Sequence, residues 1–412
     1  MEQLVLTPPD HLSATVLLPS SKSISNRALV MNVLSGGDDT LLNNLSDCDD
    51  TQVMIDWLHE QPSVIDIKAA GTAMRFSSAL LSIREGSHVI TGTERMRHRP
   101  ISILVDALRR LGADVEYVEE EGFPPLRITG RTDLPGGELT LPGNVSSQYI
   151  SALLMIGPSL EKGLILHLTG DVISRPYIHL TISMMRDFGA DAAWTDTHTI
   201  QVLPTPYRST PYTVESDWSA ASYWYEIVAL LPGSRVVLPH LYENSHQGDS
   251  HVAEVFQSLG VATTFTDGHQ VVISHTGRMV DRLDYDFVNQ PDLAQTVVVT
   301  CCLLGVPFRF TGLQSLKIKE TDRIHALRTE LAKLGYAVGE SDDSVLYWNG
   351  ERTEEASHLA IDTYEDHRMA MSFAPAAIVR GHLRINHPSV VSKSYPRFWD
   401  DLKHVGFVIQ PE

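Results

Sequence analysis

The 412-residue sequence predicts an α/β protein in which repeated β/α units form two globular halves. The chain is too long for one ordinary hydrophobic core. In addition, a helix-ending glycine and a polar helix start each recur along the chain at regular spacing, as in proteins built from repeated supersecondary units.

The first recurring feature is a glycine that ends a helix and is followed by a short strand. Its five occurrences, between 71 and 77 residues apart, are Gly112, Gly189, Gly260, Gly335 and Gly406. Glycine readily adopts the left-handed conformation that ends helices, and the β-branched and apolar residues that follow favour a strand. Each glycine therefore predicts the junction between a helix and the next strand of one unit.

The second recurring feature is a polar turn that begins an alanine-rich, apolar helix. Six such starts occur, at Ser23, Gly71, Ser146, Ser219, Asp292 and His367. From Gly71 onward they are 73 to 75 residues apart, whereas Gly71 follows Ser23 by only 48 residues. We therefore expect six units, the first of them trimmed around residues 57–67, divided into two halves of three.

The predicted boundary between the halves lies near residues 212–217. It follows a proline-rich stretch at residues 204–211, which is typical of a connection between domains. A strand-like segment at residues 16–18 precedes the first unit, so we expect the N-terminal residues to join the second half. The predicted domains are residues 20–214, and residues 1–19 with 215–412, joined by a double crossover.

Composition indicates which classes of partner to expect. The formal charge of −19, from 32 Lys and Arg against 51 Asp and Glu, disfavours binding to nucleic acid or to an anionic membrane. No apolar run reaches spanning length and no signal peptide is recognisable, so a cytoplasmic protein is expected. Cys48, Cys301 and Cys302 lack the spacing of a disulfide framework or a zinc site and are expected to be buried.

The residues around the first helix start combine several kinds of anion ligand. Lys22 and Arg27 carry positive charge, serines lie between and before them, and the apolar run at residues 28–34 predicts a helix directly behind. A helix N-terminus flanked by cations binds anions well. A serine-rich helix cap with two solvated cations explains this stretch equally well. The anion site is favoured because basic and polar residues return at other helix starts.

Two more helix starts in the first half carry such residues. Three arginines occur within residues 95–99, just ahead of a helix predicted at residues 101–111, where Pro100 suits the first turn. Ser146, Ser147 and Gln148 offer hydroxyl and amide groups that match phosphate oxygens. A solvated basic loop and an uncharged helix cap are the respective structural alternatives.

The segment at residues 315–323 is the most informative part of the second half. If one helix runs through it, Lys319 and Arg323 lie four residues apart, where like charges repel and a bound anion would relieve the repulsion. Glu320 beside them offers a carboxylate for acid–base chemistry, although Glu320 and Asp322 could instead pair with the cations as ordinary first-turn acids. Further cations follow at Arg368 and Lys393. The motifs GxGxxG, Walker A, HExxH and GxSxG are all absent from the chain.

Four motifs, at residues 21–28, 70–75, 319–323 and 366–370, closely resemble those of the 5-enolpyruvylshikimate-3-phosphate synthase family. The resemblance extends over essentially the whole chain. It implies two halves of three βαβαββ units each, with the active site in a cleft between them. It also implies transfer of the enolpyruvyl group of phosphoenolpyruvate to the 5-hydroxyl of shikimate 3-phosphate, by addition and elimination with release of phosphate. A cytoplasmic monomer with no metal or organic cofactor is expected.

The resemblance also implies two ligand sets. The residues that match the shikimate 3-phosphate ligands of the family are Lys22, Ser23, Arg27, Ser146, Ser147, Gln148, Ser174, Tyr177, Asp292 and Lys319. The residues that match the phosphoenolpyruvate ligands are Lys22, Gly71, Arg99, Gln148, Arg323, Arg368 and Lys393.

Proton transfer is assigned by the same resemblance, with one role left open. Asp292 matches the base for the hydroxyl, and Glu320 matches the group that handles the proton at C3 of phosphoenolpyruvate. Neighbouring cations favour the ionised form of Glu320 and make it a poor acid. Lys22 or Lys319, crowded by other cations and desolvated, is the alternative proton donor.

Three residues bear on affinity. Ala69 and Ser315 each stand where many family members have Asn, which removes or shortens a hydrogen bond and affects affinity more than reaction type. Gly71 is retained and leaves space for the phosphonate of glyphosate, so sensitivity to that inhibitor is expected.

Three other functions fit the sequence less well. The related transferase that acts on UDP-N-acetylglucosamine usually has a Cys in the loop corresponding to residues 95–100, and none is present. A non-catalytic anion-binding protein would be expected to have lost Asp292 or Glu320. A purely structural repeat protein would not need cations at its helix starts.

Overall fold

The computed structural model describes residues 3–357 and 359–412, which form two compact units. The N-terminal half comprises Ser20–Val214. The C-terminal half comprises Glu215–Glu412 together with the chain up to Pro19. The first two strands of the chain, β1 (Gln3–Thr7) and β2 (Ser13–Thr15), therefore belong to the C-terminal half.

The N-terminal half contains three sheets and seven α-helices among the described residues. Its strands are β3 (Leu42–Asn43), β4 (Val64–Asp66), β5 (Gly86–Thr91), β6 (Asp114–Tyr117), β7 (Leu126–Gly130), β8 (Gly137–Pro142), β9 (Leu164–Thr169), β10 (Ala192–Trp194), β11 (Thr199–Val202) and β12 (Tyr212–Thr213). Its helices are α1 (Lys22–Leu34), α2 (Asp49–Glu60), α3 (Gly71–Ser82), α4 (Glu94–Arg97), α5 (Ser102–Arg110), α6 (Ser147–Ile156) and α7 (Arg175–Asp187). The sheet orders are β4-β5-β7-β6, β10-β11-β9-β8 and β12-β3.

The C-terminal half repeats this arrangement with three four-stranded sheets. Its further strands are β13 (Arg235–Pro239), β14 (Leu259–Thr266), β15 (Gln270–Met279), β16 (Leu283–Asp286), β17 (Phe308–Thr311), β18 (Gly339–Ser341), β19 (Val345–Trp348), β20 (Ala360–Ile361), β21 (Leu383–Asn386) and β22 (Val408–Pro411). Its helices are α8 (Trp218–Leu230), α9 (Val252–Gln257), α10 (Ala294–Leu304), α11 (Arg323–Lys333), α12 (His367–Phe373), α13 (Ala376–Arg380) and α14 (Phe398–His404). The sheet orders are β14-β15-β13-β2, β16-β17-β19-β18 and β20-β21-β1-β22.

The four-stranded sheets share one pairing pattern, which confirms the predicted repeat. In each, one outer pair is parallel and the other two pairs are antiparallel; the parallel pairs are β4/β5, β8/β9, β13/β2, β16/β17 and β20/β21. The register of β8 and β9, for example, places Gly137 opposite Leu164. The first unit is the exception, because its strand β3 pairs only with β12 in a two-stranded sheet. Unit one is short, as expected, but not at residues 57–67, which form the end of α2 and strand β4 of a four-stranded sheet.

The six predicted polar helix starts open the helices that form the core of each half. They begin or immediately precede α1, α3, α6, α8, α10 and α12. Nearly every residue of α8 and α10 is buried, as expected for helices that are apolar on all sides. The remaining helices each have both buried residues and residues that are exposed or half-buried.

Four of the five predicted helix-ending glycines lie between a helix and a strand, whereas Gly260 is the second residue of β14; all five have a positive φ. Their φ angles lie between +84° and +105°, at Gly112, Gly189, Gly260, Gly335 and Gly406. Cys48, Cys301 and Cys302 are buried and free, as predicted. No helix among residues 3–357 and 359–412 is long and apolar enough to cross a membrane.

Three local predictions were wrong. Residues 16–18 are not a strand; the strand ends at Thr15, and Val16 N–H donates to Val237 C=O at 2.9 Å. The helix expected at residues 101–111 is shorter, Ser102–Arg110, because Ile101 is its cap. No single helix contains Lys319 and Arg323, since Gln314–Ile318 is a 3₁₀ turn and α11 begins at Arg323, capped by the side chain of Asp322. The two cations are therefore not neighbours on one helix face; instead both lie near Asp292 Oδ1.

Candidate active site

The first group of candidate residues surrounds the N-terminus of α1. Lys22 is the first residue of this helix, and its Nζ lies 3.1 Å from Oδ2 of Asp50, whose side chain is buried. Ser23 follows, half-buried. Asp50 was not predicted from the sequence; it lies in the first turn of α2, where an acidic residue is also favourable to the helix. The ion pair fixes the direction of the Lys22 side chain.

Arg27 lies one turn further along α1 and is almost completely buried. Its Nε donates to Thr181 Oγ1 at 2.7 Å, and its Nη2 donates to Ser151 Oγ at 3.1 Å. Its Nη1 donates to the Ser23 carbonyl at 2.8 Å. Burial lowers the pKa of Arg27 to about 10. Arg27 thus holds α1 against α6 and α7 and presents only a small part of its guanidinium to a ligand.

The starts of α6 and α7 provide the neutral candidate ligands. Ser146 caps α6 and accepts a hydrogen bond from Gln148 N–H at 3.3 Å, and Ser147 is buried in the first turn. The Gln148 amide donates to Thr72 Oγ1, in the first turn of α3, at 3.0 Å. Ser174 precedes α7 in a left-handed conformation (φ 53°), and Tyr177 is half-buried in the first turn.

The Arg99 guanidinium lies close to Gly71 in this half. Gly71 is the first residue of α3, and a Cβ atom built on it would lie 2.6 Å from Arg99 Nη1. A larger residue would therefore displace the guanidinium. Among the described residues, Arg99 Nε is buried with no hydrogen-bond acceptor. The guanidinium is available for an anion at the N-terminus of a helix.

In the C-terminal half, Asp292 contacts three cationic side chains. Its Oδ1 lies 3.1 Å from Arg323 Nη1 and 3.6 Å from Lys319 Nζ. Its Oδ2 lies 3.1 Å from Arg368 Nη2. Burial disfavours the charged form, but Arg368, Lys319 and Arg323 outweigh burial and hold the pKa of Asp292 well below its usual range. Asp292 is therefore ionised.

Arg323 connects Asp292 to the other carboxylates of this half. Besides Asp292, its Nη2 lies 3.0 Å from Glu320 Oε2, and its Nε lies 2.7 Å from Asp366 Oδ2. The second oxygen of Glu320 lies 3.0 Å from Lys393 Nζ. Burial opposes the charge of Arg323, but these three carboxylates raise its pKa. The result is a buried network in which four cations alternate with three carboxylates.

Asp249 is a further ionisable group of this region that sequence reasoning missed. It is buried in the 3₁₀ turn Gly248–His251, where it accepts a short hydrogen bond from the Ser219 hydroxyl. Burial, followed by the negative charge of Asp292, raises the pKa of Asp249 to about 7. No sequence signal marks it, because a single Asp in a polar loop is common and only burial changes its chemistry.

The structure thus groups the predicted residues within each half. In the N-terminal half, contacts join Lys22 to Asp50, Arg99 to Gly71, and Gln148 to α3. In the C-terminal half, all six predicted charged residues belong to one network: Asp292, Lys319, Glu320, Arg323, Arg368 and Lys393. Ser315 lies half-buried in the 3₁₀ turn before Lys319, and Ala69 is exposed just before α3. No group of His, Cys, Asp and Glu suited to a metal ion occurs in the part of the chain that the structure describes.

Comparisons with known proteins agree in pointing to one family. The family model of EPSP synthase (3-phosphoshikimate 1-carboxyvinyltransferase) matches residues 6–61 and 58–402. A 3-phosphoshikimate 1-carboxyvinyltransferase of Bacteroides fragilis is 63% identical over 406 residues, which cover 98% of each chain. Another, from Vibrio atlanticus, is 37% identical over 432 residues, covering 98% of this chain and 99% of the relative. The fold is similar to that of EPSP synthase from Acinetobacter baumannii, with a TM-score of 0.78, 21% identity and full coverage of both chains.

Proposed function

The chain belongs to the EPSP synthase family, and from this premise we propose how its side chains carry out the reaction of that family. The protein transfers the enolpyruvyl group of phosphoenolpyruvate to shikimate 3-phosphate, in the shikimate pathway. The observation that supports our assignment of roles is the contact of Asp292 with Lys319, Arg323 and Arg368, because it combines an ionised carboxylate with the cations that two polyanionic substrates require.

We propose an addition followed by an elimination. In the addition, the 5-hydroxyl oxygen bonds to C2 of phosphoenolpyruvate, the hydroxyl proton passes to Asp292, and C3 gains a proton from an acid. In the elimination, C3 loses a proton, the double bond re-forms, and the bond from C2 to the phosphate oxygen breaks. Each step balances without an oxidant or reductant.

Asp292 becomes a stronger base when the substrates bind. In the structure its pKa is held low by three cations, which makes it a weak proton acceptor. Substrate phosphate and carboxylate groups that bind Arg323, Arg368 and Lys319 neutralise part of this positive field. The pKa of Asp292 then rises toward a value that suits proton abstraction.

Glu320 is the proposed acceptor of the C3 proton in the elimination. It lies between Arg323 and Lys393, both within 3.0 Å, and these cations favour its ionised form. An ionised carboxylate accepts a proton more readily than it donates one. The donor in the addition is then a cation, and Lys22 and Lys319 are the two candidates.

The N-terminal half supplies neutral donors and separate cations. We assign shikimate 3-phosphate to Lys22 and to the hydroxyl and amide groups at the starts of α1, α6 and α7, and phosphoenolpyruvate to Arg99 beside Gly71. Arg27 acts mainly by holding these helix starts in place, since its guanidinium is already hydrogen-bonded to protein groups. Helix N-termini strengthen each contact with an anion.

We further propose that the protein acts as a cytoplasmic monomer that binds neither nucleic acid nor membranes. All assigned residues lie in one chain, so no second copy is needed to complete a ligand set. The net charge of −19 repels polyanionic polymers and anionic lipid surfaces.

The test is phosphate release from purified protein supplied with phosphoenolpyruvate and one of two acceptors. We expect release with shikimate 3-phosphate and none with UDP-N-acetylglucosamine. Release with the second acceptor alone would overturn the assigned substrate. No release with either, from protein shown to be folded by circular dichroism, would favour a binding protein and direct attention to Ala69 and Ser315.

A further inference from the structure

The carbonyl group of Pro100 accepts hydrogen bonds from two side chains of the N-terminal half. The hydroxyl of Tyr149 donates to it at 2.6 Å, and Arg75 Nη2 donates to it at 3.3 Å. Pro100 directly follows Arg99 in the chain, and Tyr149 directly follows Gln148 in α6. Two residues that the ligand assignment does not include therefore hold the backbone next to a proposed phosphoenolpyruvate ligand.

Arg75 also forms a hydrogen bond with Gly71, the residue next to which the Arg99 guanidinium lies. It is buried in α3, and its Nη1 donates to the carbonyl of Gly71 at 3.0 Å. Its guanidinium lies 5.8 Å from the centre of the Tyr149 ring, in cation–π geometry. A single buried guanidinium thus connects the start of α3, the Arg99 segment and the Tyr149 ring.

The position of the Arg99 side chain depends on these backbone contacts. Its Nη1 lies close to Gly71, and its buried Nε has no hydrogen-bond acceptor within residues 3–357 and 359–412. The backbone of this segment is held on one side by the hydrogen bond from Arg99 N–H to the Met96 carbonyl, and on the other at Pro100. Loosening Pro100 would let the guanidinium move away from the helix start.

We propose that Tyr149 is a positioning residue for phosphoenolpyruvate, because its hydroxyl fixes the Pro100 carbonyl and thereby keeps Arg99 over Gly71. The proposal rests on the proposed function, since it assigns the anion that Arg99 binds. Tyr149 itself does not touch the substrate in this scheme. If a cationic side chain such as that of Arg99 is displaced by a fraction of an ångström, it binds its anionic substrate less tightly.

The experiment is steady-state kinetics of Tyr149→Phe, which removes only the hydroxyl. Arg75 still donates to Pro100, so we expect the variant to fold. We expect the KM for phosphoenolpyruvate to rise by about threefold to tenfold, as for one buried hydrogen bond, with kcat and the KM for shikimate 3-phosphate nearly unchanged. Equal changes in both KM values, or none, would overturn the proposal.

Tyr207→Phe is the matched control. Tyr207 is also a buried phenol of the N-terminal half, and its hydroxyl donates to the Met155 carbonyl at 2.8 Å. Loss of this hydroxyl should lower the melting temperature about as much as Tyr149→Phe does, and it should leave the KM for phosphoenolpyruvate unchanged. The same increase of that KM in both variants would show a general stability effect and overturn the positioning role.

A double-mutant cycle with Arg99→Lys tests the route of the effect. If Tyr149 acts through Arg99, Tyr149→Phe should raise the KM for phosphoenolpyruvate less in the Arg99→Lys protein than in the parent. Fully additive effects would contradict this route. A parent protein without turnover would instead refute the proposed function, so the two failures are distinguishable.

Discussion

Asp366 Oδ2 lies 2.7 Å from Arg323 Nε, and both side chains are buried in the C-terminal half. The same carboxylate caps α12, where its Oδ1 accepts from Arg368 N–H at 2.9 Å. One acidic side chain therefore holds two of the three arginines that we assign to phosphoenolpyruvate, Arg323 through its side chain and Arg368 through its backbone. Asp366 should therefore affect phosphoenolpyruvate binding without contacting the substrate itself.

Asp366→Ala should destabilise the protein and weaken phosphoenolpyruvate binding. Removing one partner of a buried ion pair costs about 3–5 kcal/mol, measurable by chemical denaturation. Asp366→Asn keeps an oxygen that can accept the hydrogen bond of the helix cap, so this variant should lose less stability than Asp366→Ala. As a control, Asp38→Ala removes an exposed helix cap of the N-terminal half and should leave the KM for phosphoenolpyruvate unchanged. A wild-type KM in Asp366→Ala would contradict the orienting role.

Asp292→Asn should abolish most turnover while shikimate 3-phosphate still binds. Loss of a general base lowers kcat by about 100-fold to 10,000-fold, whereas Lys22 and the hydroxyl and amide groups that we assign to shikimate 3-phosphate are unchanged. Calorimetry should give a dissociation constant within about tenfold of the parent, or 1.4 kcal/mol. If the variant no longer binds shikimate 3-phosphate, the assignment of Asp292 as the base loses its support.

Asp249 should make substrate affinity depend on pH near neutrality. Its pKa is raised to about 7, so it is neutral below that pH and ionised above it. Ionisation adds a negative charge next to Asp292, which opposes anion binding. We expect the KM for phosphoenolpyruvate to rise between about pH 6 and pH 8, and this rise to disappear in Asp249→Asn. Asp281→Asn, at an exposed position, is the control and should show the same rise of the KM as the parent. If the rise persists in Asp249→Asn, the prediction is refuted.

Glu226 should make the protein less stable as the pH rises. It is completely buried in α8. Burial raises its pKa well above the usual value, so the folded state keeps a proton that the unfolded state loses. The free energy of unfolding is therefore not reduced by Glu226 below the unfolded-state pKa of about 4.3. Above that pH it decreases, by at most about 1.4 kcal/mol per pH unit.

The measurement for Glu226 is urea unfolding of Glu226→Gln at several pH values. The neutral amide removes this source of pH dependence, so the variant should gain stability relative to the parent as the pH rises. Glu254→Gln, on the exposed side of α9, should show the same pH dependence as the parent. Identical curves for the parent and Glu226→Gln would rule out a buried neutral carboxyl.

Gly71→Ala should weaken phosphoenolpyruvate binding and glyphosate inhibition. The added methyl group would lie 2.6 Å from Arg99 Nη1, so the guanidinium must move. Inhibition assays should show the parent to be sensitive to glyphosate and the variant to need a higher concentration, with the KM for shikimate 3-phosphate as the internal control. Full activity of the parent at a large excess of glyphosate over phosphoenolpyruvate would contradict the expected sensitivity.

The repeat, the core helices, the family and the reaction could be predicted from the sequence because their signals are local. A polar cap followed by an apolar run starts a helix within one turn, as at Ser146 and Asp366. A glycine ends one by adopting a positive φ, as at Gly335 (φ 85°). The family motifs are likewise short segments, and the comparisons confirm the family that they indicated.

Only the tertiary structure decided which charged groups meet and what protonation states they hold. Arg323 contacts carboxylates 31 and 43 residues away in sequence, at Asp292 and Asp366. Burial raised the pKa of Asp249, and the nearby cations lowered that of Asp292. Packing brings distant side chains together and removes water from around them, and both effects determine electrostatic energies that a linear pattern of residues does not contain.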